Sequence, residues 1–502
     1  MLIINNKNLR RVIHYYLQVK MKLLLVYPTT ESSNTNTSTY SLPLGLGSIG
    51  TYCKKKLGDS LEVRILDGSM MSHAEQLKAV TEYYSDLTGI NSTIASQKNA
   101  YEIGQLAKKQ GSRVIFGGVN STNLWRNMLQ NRDFIDGVVL YDGEIPMRQI
   151  LTQSSLEGIP NLAYKDQEGR IHKPDSIYIS TLSELQNIDY SLFDLPRFFE
   201  KTQKKGFGKA VTYYAGKGCT KRGGITLKSS YSLNEYTRLV SSMDVCTFCG
   251  RNELGLRNLN EDREAEIVRA LHEKYGIDGF FNVQDTVNLR NTSPIGLNDC
   301  WFRLFIGIES ITPENIRRLK QRYGPRLIFQ AGVEAANPRM RQVYGKKSTD
   351  SDDLIDKVKL MREEGIQLHA SFILGGIGET KGMMYQTTEA ARMLVDYDNV
   401  TWILISPQLI LPGSPDYRAL LTRPKMYKKY VKQDLIDTVE INQDFLRHFT
   451  PDLTRQEIID EIKRTFDEIR KKDKKDLVLD VKGVIDCEEE YISPTHPYAE
   501  SH

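Results

Sequence analysis

The pair Cys246-Thr247-Phe248-Cys249 has the spacing of a metal or redox site. A third cysteine, Cys219, follows Gly216-Lys217-Gly218 at the end of an apolar run, Val211–Ala215. Three thiolates can hold three irons of a cubane and leave the fourth iron open, so that the cluster can bind and reduce a small molecule. Cys246 and Cys249 would also suit zinc or a thiol–disulfide couple. A four-thiolate zinc site asks for a second C-x-x-C, which the chain lacks. A redox couple of this spacing belongs near a helix start in a much smaller domain. On spacing alone these alternatives stay open. The other cysteines of the six, Cys53, Cys300 and Cys487, complete no disulfide framework.

The elements that must position these groups form two strand–helix series. In residues 21–150 the strands are Leu23–Tyr27, Leu61–Leu66, Asp86–Ile90, Arg113–Phe116 and Gly137–Leu140, with amphipathic helices between them. Apolar strands alternating with such helices predict a doubly wound, Rossmann-like parallel sheet, whose ligands bind outside the carboxyl ends of the strands. Ser92, Thr93, Gly117 and Gly118 fall at such ends. Residues 151–205 read as a connector with short strand-like pieces. From 206 to 419 the strands Val211–Ala215, Gly279–Val283, Arg303–Ile306, Leu327–Gln330, His369–Leu374 and Val400–Ile405 alternate with helices, which predicts a partial TIM-like (β/α)6 barrel. Residues 420–487 read as a charged, solvated helical region and 488–502 as a disordered tail. Residues 1–20, ahead of Met21, read as an extension or a misplaced start.

At 502 residues the chain is long enough for two to four domains. Its 40% hydrophobic and 26% charged residues are ordinary for a soluble protein, and a net charge of +4 makes no case for nucleic acid. No apolar run approaches the ~18–20 residues of a membrane span, and no signal peptide opens the chain, so a cytoplasmic location is expected.

Taken in order, the motifs resemble those of the radical S-adenosylmethionine (SAM) enzymes that carry a cobalamin-binding domain. Gly218-Cys219 and Cys246-Thr-Phe-Cys249 look like the two halves of the C-x-x-x-C-x-x-C signature. Asp285 resembles the family's acidic strand end, Gly332-Val333-Glu334 its G-x-E motif, Phe372–Thr380 its F-I-x-G-x-P-G-E-T segment, and Leu411–Tyr417 its P-G-T-P-L-Y turn. In the first domain, Leu42–Leu46, Ile115–Gly118 and Tyr141–Glu144 resemble the cobalamin-binding companion, as does Ile159–Tyr164 of the connector. The likeness covers roughly residues 21–420.

The resemblance implies a [4Fe–4S] cluster on Cys219, Cys246 and Cys249, with SAM on its open iron. SAM would be cleaved reductively to a 5′-deoxyadenosyl radical. By the same resemblance Phe248, Asp285, Glu334, Gly375 and Gly376 contact SAM, with Phe248 near the adenine and Glu334 at the sugar or amino end. Cobalamin would lie between the domains, on Ser92, Thr93, Gly117 and Gly118. The D-x-H-x-x-G signature is absent, so cobalamin is expected without a histidine on cobalt. Implied partners are a small-molecule substrate and an electron donor such as flavodoxin or ferredoxin. Implied outcomes are C-methylation or a radical rearrangement; the alternatives are SAM radical chemistry beside a vestigial cobalamin domain, or a cobalamin-binding scaffold with a degenerate cluster site. The chain departs from the pattern in two places. Residues 220–245 separate Cys219 from Cys246 where the family has three, an insertion that costs only slowly growing loop entropy. Ile377 stands where the family has proline.

Overall fold

The computed structural model describes residues 20–30, 41–181, 188–219, 245–251, 255–347, 350–472 and 477–480, with isolated positions 221, 230–232, 234, 235, 238 and 253. The extension 1–19, the tail 488–502 and most of the insertion 220–245 lie outside the described residues.

The first sheet holds β1 (Met21–Tyr27), β2 (Leu61–Asp67), β3 (Leu87–Asn91), β4 (Arg113–Gly117), β5 (Gly137–Val139), β6 (Leu162–Lys165) and β7 (Ile171–His172), in the order β2-β1-β3-β4-β5-β6-β7. The first five are parallel; β6 and β7 add an antiparallel edge. Alternate residues of one strand serve opposite faces. Leu24, Val26, Ile90, Val114 and Phe116 pack on the helices His73–Tyr83, Gln97–Lys109 and Val119–Asn131. Leu23, Leu25, Leu87 and Ile115 pack on Leu44–Leu57 and Glu144–Thr152. Covering both faces is what a parallel sheet requires.

The second sheet is parallel throughout. Its strands are β8 (Ala210–Tyr213), β9 (Gly279–Asn282), β10 (Trp301–Gly307), β11 (Leu327–Glu334), β12 (Gln367–Leu374), β13 (Val400–Pro407) and β14 (Val478–Asp480), laid out in sequence order. Its helices are cut by local signals. Glu261–Tyr275 starts where the Asn260 side chain accepts from the Asp262 N–H and stops at Gly276, whose φ of 62° favours glycine. The strand β14 is one more than the six read from the sequence, and it arises from the region read as helical. The helix Arg455–Arg470 of that region also differs from a solvated cap: Ile458, Ile462, Phe466 and Ile469 join the barrel core.

The two sheets share buried surface. Ile410, Tyr417, Leu420, Tyr430, Ile441 and Phe445, which follow β13, complete the core behind β3 and β4. Asp434 in the same stretch accepts from Arg132 at 2.6 Å and Tyr101 at 2.9 Å of the first unit. Among the described residues no helix is long and apolar enough to cross a membrane.

Candidate active site between the two sheets

A cavity of about 740 Å³ lies between the carboxyl ends of the first sheet and the start of the barrel, well within the roughly 300–1,000 Å³ of small-molecule sites. Ser92, Thr93, Gly117 and Gly118 line one side; Phe248, Cys249, Arg251 and Asp285 line the other. Among the described residues no histidine lines it.

The first wall is shaped by backbone conformation and burial. Gly118 has φ 92°, and a Cβ there would fall 2.2 Å from Asn91 Oδ1, so glycine is required. Thr93 opens a short turn, its N–H donating to Ser96 Oγ at 3.1 Å. Tyr141, on the same wall, also has a left-handed φ of 64°, and burial pushes its phenol up to about 12. Ser92 and Asn120 are buried on this wall, and Ser92 Oγ and both Asn120 amide atoms have no hydrogen-bond partner. Buried polar atoms are ordinarily satisfied, so these three mark a place for a polar ligand.

The opposite wall carries the cysteines. Cys246 and Cys249 form one turn, with the Cys249 N–H donating to the Cys246 carbonyl at 3.0 Å. The turn docks on Leu411–Pro412, and the Asp416 N–H donates to the Thr247 carbonyl at 3.0 Å. Arg251 reaches Asp285 with two nitrogens, at 3.0 and 2.9 Å, and so ties the turn to the end of β9. Cys219 leaves a ribbon in which Gly216–Gly218 pairs antiparallel with Leu256–Asn258, and its Sγ lies 3.6 Å from Thr286 Oγ1. Burial pushes the Cys246 thiol up to about 11, with Lys346 and Lys221 drawing it back.

None of the three cysteines is in a disulfide, and all three are half-buried. Among the described residues no three His, Cys, Asp or Glu side chains gather closely enough to hold one metal ion. A cubane makes a different demand, because each thiolate takes its own iron. Three thiols outside any disulfide, two on the turn and one at the end of the ribbon, fit that donor chemistry.

Glu334, Gly375 and Gly376 lie outside the cavity wall but close behind it. The register slips between Gly332 and Glu334, and Glu334 sits at φ 65°, an unusual conformation for a residue with a Cβ. Its carboxylate pairs with Lys346 Nζ at 3.1 Å, and Lys346 stands 6.0 Å from the centre of the Phe248 ring. Phe248 meets Tyr344 edge to face, with centroids 5.7 Å apart, and Tyr344 packs on Gly376. Gly375 and Gly376 donate their N–H groups to Glu379. Phe248, Glu334 and Gly376 are thus drawn together around Tyr344 and Lys346, while Asp285 stands with Cys249 and Cys219.

Sequence reading passed over Asn120, Arg251 and Lys346. Asn120 lies two residues past Gly117-Gly118 and Arg251 two past Cys249, so proximity to a motif was the available signal. Nothing local marks Lys346.

No protein-family model matches the chain, and no curated protein sequence does. Solved structures do match in fold. The radical SAM methyltransferase TsrM from Kitasatospora setae, solved with cobalamin and a [4Fe–4S] cluster, superposes with TM-score 0.57 at 16% identity, covering 79% of this chain and 74% of that one. TsrM with tryptophan substrate and a SAM analogue gives 0.56 at 15% identity, covering 80% and 77%. The cobalamin-dependent SAM radical enzyme OxsB with aqua-cobalamin gives 0.58 at 17% identity; the match covers 83% of this chain but 63%, under two thirds, of OxsB. The fold of this chain is that of the cobalamin-binding radical SAM enzymes.

Proposed function

We propose that the chain is a cytoplasmic, cobalamin-dependent radical SAM enzyme acting on a small molecule, by C-methylation or radical rearrangement. The observation that carries this reading is a cavity that joins the strand ends of the first sheet to the wall of Cys249, Arg251 and Asp285. Residues 21–150 would form the cobalamin domain, 206–419 the SAM barrel and 151–205 the connector. Cys219, Cys246 and Cys249 would hold a [4Fe–4S] cluster, and Ser92, Thr93, Gly117 and Gly118 would face cobalamin. When bound, the cluster supplies the electron that cleaves SAM, and cobalamin supplies methyl-transfer or redox chemistry beside it.

The chain's own residues would bind, orient and exclude water. The paired charges of Glu334 and Lys346 complement the amino and carboxylate ends of an amino acid, so they would fix that end of SAM. Phe248, held by Tyr344, would present an apolar face to the adenine. Gly375 and Gly376 keep backbone close behind that site. The Arg251–Asp285 bridge would hold the cysteine turn against the end of β9 while the substrate reacts. An electron donor such as flavodoxin or ferredoxin would deliver the electron.

Anaerobic reconstitution with iron and sulfide tests the reading, followed by iron counting and electron paramagnetic resonance with and without SAM. Four irons per chain and a signal that changes on adding SAM are expected, together with a shifted visible spectrum on adding hydroxocobalamin. A cluster without cobalamin binding would replace the reading by SAM radical chemistry beside a vestigial domain. No cluster would leave a cobalamin-binding scaffold at most.

A further inference from the structure

We propose that Asn120 selects the corrinoid by its side-chain chemistry, pairing with a primary carboxamide on the ring periphery; this rests on the cobalamin reading above. Asn120 is the second residue of the helix Val119–Asn131, lines the cavity and is 6% exposed. Neither Oδ1 nor Nδ2 has a partner, and Ser92 Oγ on the same wall is equally unpartnered. Burying such atoms is unfavourable unless a ligand completes them.

The two ends of the amide define the complement. One acceptor and one donor side by side ask for a group that both donates and accepts, and a primary carboxamide does so through two parallel hydrogen bonds. A carboxylate or phosphate only accepts. It would satisfy Nδ2 and set its charge against Oδ1. On the same wall Asp142 is held by Arg257, and Glu144 accepts from Ser48 at 2.7 Å through one of its two oxygens. The pocket is therefore matched to a tetrapyrrole whose edge carries amides, and mismatched to one whose edge carries acids.

The test titrates the full-length apoprotein, followed by visible absorption, with hydroxocobalamin, with dicyanocobinamide (amides kept, nucleotide removed) and with dicyanocobyrinic acid (carboxylates at the edge). Wild type should bind the first two and take the acid at least about tenfold more weakly, since each unmet buried polar group costs that order of affinity. Asn120→Asp should weaken both amidated corrinoids by about tenfold. Asn120→Leu, which adds no buried charge, should do the same and stands in if the Asp variant does not fold. Undiminished binding of both amidated corrinoids by the variants would overturn the role of Asn120 while leaving the cobalamin reading intact. Loss of cobalamin binding alone, with cobinamide kept, would also overturn it, because the contact would then lie on the nucleotide tail. A wild type that binds no corrinoid would remove the underlying reading, and that result is visible before any variant is made.

Discussion

The carboxylate of Asp142, at the end of the first sheet, accepts a hydrogen bond at 2.8 Å from the guanidinium of Arg257, which lies in the ribbon that carries Cys219. Lys217, two residues before that cysteine, binds the other oxygen, and the Ser180 N–H donates at 2.8 Å. Burial alone would raise the Asp142 pKa; the two cations outweigh it and hold the carboxyl well below its usual range. The wall of one domain and a candidate cluster ligand of the other are thereby joined through one buried anion.

Asp142→Asn should therefore destabilise the fold. It leaves Lys217 and Arg257 buried beside a neutral amide, and removing one partner of a buried pair costs about 3–5 kcal/mol. Because the folded pKa is depressed, the wild-type contribution is present above the unfolded value near 3.9 and fades as pH falls below it. Urea unfolding at pH 7 measures the loss. A change under about 1 kcal/mol would show that the pair contributes little beyond packing.

Cys219→Ala should remove the reconstituted cluster, and Cys300→Ala should leave it. Cys219 is half-buried at the end of the ribbon, whereas Cys300 is buried in the core with its thiol against the Ile277 carbonyl at 3.3 Å. Iron per chain after anaerobic reconstitution separates them. Four irons retained in the Cys219 variant would mean that the insertion has displaced this residue from the ligand set.

The contrast between these residues shows what could be read from the chain alone. The strand–helix alternation, and with it the two-sheet architecture, was legible because burial imposes a period on apolar residues. Gly118 was legible as a residue at a strand end, and its φ of 92° adds why glycine stands there. The pairing of Asp142 with Arg257 was not, since the partners stand 115 residues apart and only the packed domains bring them together. Lys346 escaped for the same reason: its role depends on Glu334 and Phe248 arriving from two other segments. The three-residue strand Val478–Asp480 carries too few residues for any period to show.

Glu334→Gln and Lys346→Met should each weaken SAM binding by roughly tenfold or more, because a hydrogen bond to a charged group is worth about 1.5–3 kcal/mol. Glu334 is buried, Lys346 is half-buried, and the two pair at 3.1 Å, so each variant also removes the other's partner. Lys346→Arg retains the charge and should recover part of the affinity. Calorimetric titration of reconstituted protein with SAM gives the dissociation constants. Equal affinity in all three variants would place SAM elsewhere.

Glu379 supplies a pH dependence of opposite sign to that of Asp142. Burial pushes its carboxyl from 4.5 up to about 7, although the N–H groups of Gly375 and Gly376 pull the other way. A carboxyl whose folded pKa is raised binds its proton more tightly in the folded state. Its protonation therefore favours folding below about 4.5, and that contribution is lost as pH rises through about 7. At 1.36 kcal/mol per unit the swing is on the order of 3 kcal/mol. Glu379→Gln keeps an acceptor for the two glycine N–H groups and cannot ionise. Wild type should thus lose stability relative to this variant between pH 5 and pH 8, as read by urea midpoints at both values. Parallel pH profiles for the two proteins would show that Glu379 does not titrate in this range, and that the two backbone donors outweigh its burial.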